Sequence, residues 1–311
     1  SFLGNRRVAF VYHGRAAHAA VERWEGANAL DACIQTFNAV ALLRQQMRAA
    51  DDAVASATTD AERALADQYR RRLLSVLGDD TRLPGMAQAV TCRDDIFEDA
   101  SYSVCEVAPG EDLRLFLNGP DGPYGSFAAL VTGLEPTGLT LDFAMNAGMF
   151  HEDLAPVGLY IENFQQKARI VTSDGPGNFG LLPNGVFCVG DSFAVIESRA
   201  FKAAPPACRY ATQSGPMLVI DGALHPSFVR DSESYNYRNG VGVAEDGRAI
   251  FVISNDAVNF HAFARYFRDI VGVKNALFLD GSVSRLYAPE LDRDDIGFPI
   301  GPIIGVVTAK D

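Results

Sequence analysis

The chain has 311 residues, 48% hydrophobic and 21% charged. That is the composition of a globular protein with a sizeable core, in one large domain or two small ones. The net charge of −12 argues against a nucleic-acid partner, because such affinity rests on neutralising phosphates with lysine and arginine; one or two local arginines can still hold a small anion at short range.

No apolar run reaches the roughly 18 residues that a membrane-spanning helix needs. No signal peptide is present, but the chain starts at Ser1 rather than Met, as it would after processing or trimming. The missing signal is therefore weak evidence for a cytosolic home, and the expected location is periplasmic or secreted. Five cysteines occur, none in a C-x-x-C pair, so a zinc site of the usual spacing is not expected. In an exported protein Cys92 with Cys105 and Cys188 with Cys208 are the natural disulfide partners, leaving Cys33 over. Five reduced, buried thiols are the alternative.

Residues 1–85 read as a helical hairpin. Leu30, Ile34, Phe37, Val40, Ala41 and Met47 recur at helical spacing. Thr59 and Glu62 form a capping box for a second helix carrying Leu65, Tyr69, Leu73, Leu74 and Leu77. Arg70, Arg71 and Arg72 read as a solvated face. A linker follows from Asp79 to Ala87, and residues 86–311 form the second expected region.

There the texture turns to strands: Tyr102–Val107, Leu113–Leu117, Leu139–Ala144, Val157–Glu162, Val186–Val189 and Ala194–Glu197. Further along come Met217–Ile220, Gly240–Ala244, Ile250–Ser254, Ala276–Leu279 and Ile303–Val307. One late helix, Asn259–Val271, carries Phe260, Phe263, Ala264, Phe267 and Val271 on one face and stops at Gly272. The expected fold class is α+β, with mixed β-sheets and few flanking helices.

Five polar or glycine clusters interrupt the apolar strands at their ends. They are Asn146-Ala147-Gly148-Met149-Phe150-His151, Pro183-Asn184-Gly185, Thr212-Gln213-Ser214-Gly215-Pro216, Arg238-Asn239-Gly240 and Leu279-Asp280-Gly281-Ser282. Singly, each reads as a turn. In this order the set resembles the phosphodiester glycosidase family, from about Cys92 to the C-terminus. That family shows an Asn-Ala-Gly-aromatic motif, a Ser-Gly-Pro turn, an arginine before a glycine-containing strand and a closing Leu-Asp-Gly-Gly loop. Here Ser282 stands where the second glycine of that loop is usual.

The resemblance implies a hydrolase that releases a sugar from a sugar-1-phosphodiester or related envelope glycoside. A non-catalytic carbohydrate-binding module on the same scaffold is the competing class. Asp280, at the end of an apolar strand, is the expected key carboxylate; a turn aspartate capping its own loop is the alternative. Arg238 is expected on the phosphate, which a guanidinium binds bidentately; pairing with Asp231 or Glu233 is the alternative. Asn146 and Asp256 complete the expected catalytic set, although Asp256 also suits the start of the late helix. Gln213, Ser214, Gly215, Asn239, His151, Gly148, Gly281 and Ser282 are expected to bind substrate. Ser214 lacks the G-x-S-x-G elbow of a serine nucleophile. Metal ligands are unassigned. Asp280, Asp256 and loop carbonyls would suit Ca2+, but no D-x-D-x-D loop supports it.

Overall fold

The computed structural model describes residues 90–310. The helical hairpin expected over 1–85, its Thr59 cap, the arginine run, Cys33 and the boundary near residue 86 lie outside them.

Three sheets surround one core. The largest orders its strands Val90–Phe97, Ala100–Val107, Ala249–Ser254, Asn239–Val243, Ala276–Asp280, Met217–Ile220 and Ala223–Leu224. A second runs Phe193–Glu197, Gly185–Val189, Tyr210–Ser214, Tyr160–Glu162 and Gln165–Ala168. The third runs Arg293–Asp294, Leu286–Ala288, Leu139–Asn146, Ile303–Ala309 and Leu113–Phe116.

The central strands are apolar on both faces because both faces are covered. In Ala249–Ser254, Phe251 and Ile253 point into the core shared by the three sheets, whereas Ile250 and Val252 face the helical layer outside. Period-two alternation divides Ala276–Asp280 in the same way: Leu277 and Leu279 go inward, Ala276 and Phe278 outward. Each sheet has its own outer helix. The helix at 260–271 covers the largest sheet with Phe263, Tyr266 and Phe267. Phe127–Leu134 covers the third with Phe127, Leu130 and Leu134. Ser198–Ala203 covers the second with Phe201. Three aromatic rings join the sheets at the centre: Phe251 stands 5.0 Å from Phe143 and 5.7 Å from Phe187.

The late helix is present. Asn259 caps it, its Oδ1 accepting from the Ala262 amide at 2.9 Å. It widens into a π-turn over Tyr266–Val271 and stops at Gly272, whose φ of +74° suits glycine. The sheets differ from expectation in one respect: every strand pairing among the described residues is antiparallel rather than mixed. Parallel neighbours need a long crossover, usually a helix, and this chain has few helices to supply one.

Both expected disulfides form. Cys92 and Cys105 are directly opposed in the first hairpin. Cys188 and Cys208 fasten the Gly185–Val189 strand to the segment entering Tyr210–Ser214.

Phe251 is fully buried and touches aromatic rings from both other sheets. Phe251→Ala is expected to cost about 3–5 kcal/mol of unfolding free energy. A chemical-denaturation midpoint close to that of the wild type would show that the three sheets do not rely on this contact.

Candidate active site

Asp280 ends the strand Ala276–Asp280 and is paired in register with Asn239 on the neighbouring strand. Arg238 immediately precedes Asn239. A carboxylate and a guanidinium therefore leave adjacent antiparallel strands at the same end of the sheet. Asn146, at the end of Leu139–Asn146 in the third sheet, closes the group from the side.

These side chains are tied by hydrogen bonds. Asn146 Nδ2 donates to Asp280 Oδ2 at 2.9 Å, and the Gly281 amide donates to Asp280 Oδ1 at 2.7 Å. Asn239 Oδ1 accepts from the Asp280 amide at 2.7 Å, while Asn239 Nδ2 donates to the Asn146 carbonyl at 2.7 Å. Asn146 Oδ1 accepts from the Arg285 amide at 2.9 Å. The carboxyl is thus held from behind by two donors. Burial disfavours its charge and pushes it up to about 6, although the Gly281 and Asn146 donors pull the other way.

Arg238 is 1% exposed. Its Nε donates to the Val258 carbonyl and its Nη2 to the Ser234 carbonyl, both at 2.8 Å. The guanidinium lies 3.7 Å from the centroid of Phe260 and 5.6 Å from that of Phe278. It has no ion-pair partner among the described residues, so the expected alternative of pairing with Asp231 or Glu233 is not what holds it. Burial brings it down to about 10, so it stays cationic at neutral pH. Its Nη1 makes no hydrogen bond within the described residues, and Arg238 lines a cavity.

That cavity measures about 500 Å3. Of the expected residues, Asp280, Arg238, His151, Gly281 and Ser282 line it. Ser282 does not adopt a positive φ, so a side chain is accommodated where the family usually has its second glycine. Its hydroxyl donates to Asn236 Oδ1 at 3.2 Å. Asn146 and Asn239 stand behind the wall and position Asp280.

The remaining expected residues lie away from the cavity lining. Asp256 does not reach the cavity. It lies beyond the Ala249–Ser254 strand, with the Asn239–Val243 strand between that and Asp280's, and its Oδ2 accepts from the Ser101 amide at 2.9 Å. Nor does it start the late helix, whose cap is Asn259. Gln213, Ser214 and Gly215 are buried and engaged internally. Gln213 Oε1 accepts from the Leu159 and Val171 amides, each at 3.0 Å, and Ser214 Oγ donates to the Leu279 carbonyl at 2.7 Å. At Gly215 a Cβ would lie 2.5 Å from Asn184 Cβ. Gly148 is a close-approach glycine: a Cβ there would lie 2.3 Å from the Gln213 carbonyl oxygen. These four residues are not among those that line the cavity.

Sequence reasoning missed Glu152, Asn178 and Asn236, which also line the cavity. Nothing in their local patterns separates them from turn residues. Among the described residues no group of three or more His, Cys, Asp or Glu is arranged to hold a metal. With Asp256 turned to Ser101, the pair expected to hold Ca2+ is not assembled.

The family model described as phosphodiester glycosidase matches residues 140–307. The uncharacterized protein YigE of Escherichia coli is 40% identical over 179 residues, covering 57% of this chain and 70% of YigE. The catalytic domain of zebrafish N-acetylglucosamine-1-phosphodiester alpha-N-acetylglucosaminidase, auto-inhibited by its pro-peptide, aligns with a TM-score of 0.49 and 14% identity. That alignment covers 70% of this chain and 81% of the zebrafish one. A 41-residue stretch, 13% of this chain, is 49% identical to mouse Xaa-Arg dipeptidase but spans only 10% of that enzyme.

The raised Asp280 carboxyl has a thermodynamic signature. Between its ordinary value of 3.8 and about 6, the folded chain holds a proton that the unfolded chain has released. The stabilisation is therefore complete below the unfolded value and is lost as pH rises through about 6, amounting to about 3 kcal/mol. Asp280→Asn removes this titration. The stability of the variant relative to wild type is expected to rise by about 2 kcal/mol from pH 4 to pH 7 in denaturant melts. A pH-independent difference would mean that the carboxyl titrates normally.

Proposed function

The chain belongs to the phosphodiester glycosidase family, and from that premise we propose that it hydrolyses the bond between a sugar's anomeric carbon and a phosphodiester in the cell envelope. The observation that carries this reading is the sharing of one cavity by a desolvated carboxyl, Asp280, and a buried, unpaired guanidinium, Arg238. A guanidinium with a free N–H edge binds a phosphodiester monoanion. A carboxyl that stays neutral towards pH 6 is suited to hand a proton to the glycosidic oxygen as the C1–O bond breaks.

In this reading Arg238 Nη1 donates to a phosphate oxygen and holds the leaving group against the floor. Asp280, fixed by Asn146 and Gly281, stands beside the bond to be cleaved. His151, Asn178, Asn236 and Ser282 offer hydrogen bonds to sugar hydroxyls. No step is assigned to a metal. The two disulfides support an exported location, periplasmic or secreted, because such bonds persist in oxidising compartments.

The test is release of free sugar from a panel of sugar-1-phosphodiesters, N-acetylglucosamine among the sugars. Asp280→Asn is expected to lower kcat by about 100-fold or more. Arg238→Ala is expected to raise KM for phosphodiesters more than for neutral aryl glycosides; equal effects on both would remove the phosphate role. Sugar binding without turnover by the wild type would favour a carbohydrate-binding module.

A further inference from the structure

Glycoside hydrolysis ordinarily needs two carboxylates, one at the leaving oxygen and one at the attacking water. Asp256, expected from the sequence as the second, is turned away to the Ser101 amide. The residues lining the cavity contain a different one. Besides Asp280, the only carboxylate among them is Glu152.

Glu152 sits in a tightly built turn. The His151 amide donates to the Ala155 carbonyl and the Leu154 amide to the His151 carbonyl, both at 2.8 Å. Leu154 takes a φ of +69°, and Phe150 bridges to Pro156 at the base. Gly301 packs so closely on Phe150 that a Cβ there would lie 2.5 Å from the ring. The two adjacent acidic residues then divide their tasks. Asp153 Oδ1 accepts from the Ala155 amide at 3.0 Å and helps make the turn. Glu152 has no hydrogen bond or ion pair among the described residues; it is exposed and lines the cavity. A tightly tied turn thus carries an unengaged carboxylate to the same cavity that Asp280 lines.

We infer that Glu152 is the second carboxylate of the reaction, the general base that takes a proton from the attacking water. This rests on the hydrolase reading proposed above. Water oxygen bonds to the anomeric carbon as its proton passes to Glu152. The C1–O bond breaks, its electron pair goes to the phosphate oxygen held by Arg238, and that oxygen receives the Asp280 proton. The products are the free sugar and a phosphomonoester. Solvent then returns the proton from Glu152 to Asp280.

The experiment uses the intact chain, one sugar-1-phosphodiester that the wild type hydrolyses, and sodium azide, a nucleophile that needs no deprotonation. Glu152→Ala is expected to lower kcat by about 100-fold or more with little change in KM. Azide is expected to restore turnover in Glu152→Ala, giving the glycosyl azide in place of free sugar. Retention of more than about a tenth of wild-type kcat would overturn the inference. So would a loss confined to KM that azide does not relieve, since that is the mark of a group binding a hydroxyl. A wild type that turns over no sugar phosphodiester overturns the parent reading and this one with it, whereas an active wild type with an unimpaired Glu152→Ala overturns Glu152 alone.

Discussion

The side chain of Asn146 is the knot on which the site depends. It belongs to one sheet, yet it donates to Asp280 of another and accepts from the Arg285 amide beyond the Asp280 loop. Asn239 ties the same group from the neighbouring strand. The Asn146 and Asn239 side chains are fully buried, where an unmet donor or acceptor costs about 1–3 kcal/mol. The approach of the two sheets satisfies these partners together, and the donors on it hold the Asp280 carboxyl in place. Position and protonation are set together: burial raises the carboxyl's proton affinity, and the two donors stop it from rising further.

Arg238 shows how a buried charge is accommodated without an opposite one. Two backbone carbonyls accept from Nε and Nη2, and the faces of Phe260 and Phe278 lie against the guanidinium. Ion pairs elsewhere among the described residues are of another kind. Arg265 with Asp269 and Lys274 with Glu245 sit near solvent and contribute little. A cation compensated only by dipoles and rings keeps its attraction for an incoming anion, because no carboxylate has to be displaced first.

Much of the strand framework was legible because two-sided burial writes apolar runs such as Ala249–Ser254 and Ala276–Leu279 between glycine and asparagine turns. The family's motifs located Asp280 and Arg238 at strand ends, and the structure brings both to one cavity. Other elements carried no such mark. Val90–Phe97 contains Arg93, Asp94 and Asp95, as a half-exposed edge strand can, and so lacked a strand signal. Phe127–Leu134 is short and includes Val131, Thr132 and Gly133, which weakens a helical pattern. Gln213 and Ser214 looked functional because they are polar in an apolar strand. Their donors and acceptors are consumed internally, and a sequence does not say who a polar group's partner is. Glu152 was overlooked for the converse reason: beside Asp153 it reads as another turn acid, and only the fold shows which of the two makes the turn.

The antiparallel topology also bears on when this protein can become itself. Ala100–Val107 finds a neighbour in Ala249–Ser254, and Ile303–Ala309 lies between Leu139–Asn146 and Leu113–Phe116. Almost none of the third sheet can close until segments far apart along the chain have met. Loop closure of that kind slows folding far more than it weakens the folded state. For a chain proposed to work outside the cytosol, slowness has a use: an unfolded polypeptide can cross a membrane, and one that delays its collapse keeps that route open until it arrives where its cysteines can be oxidised.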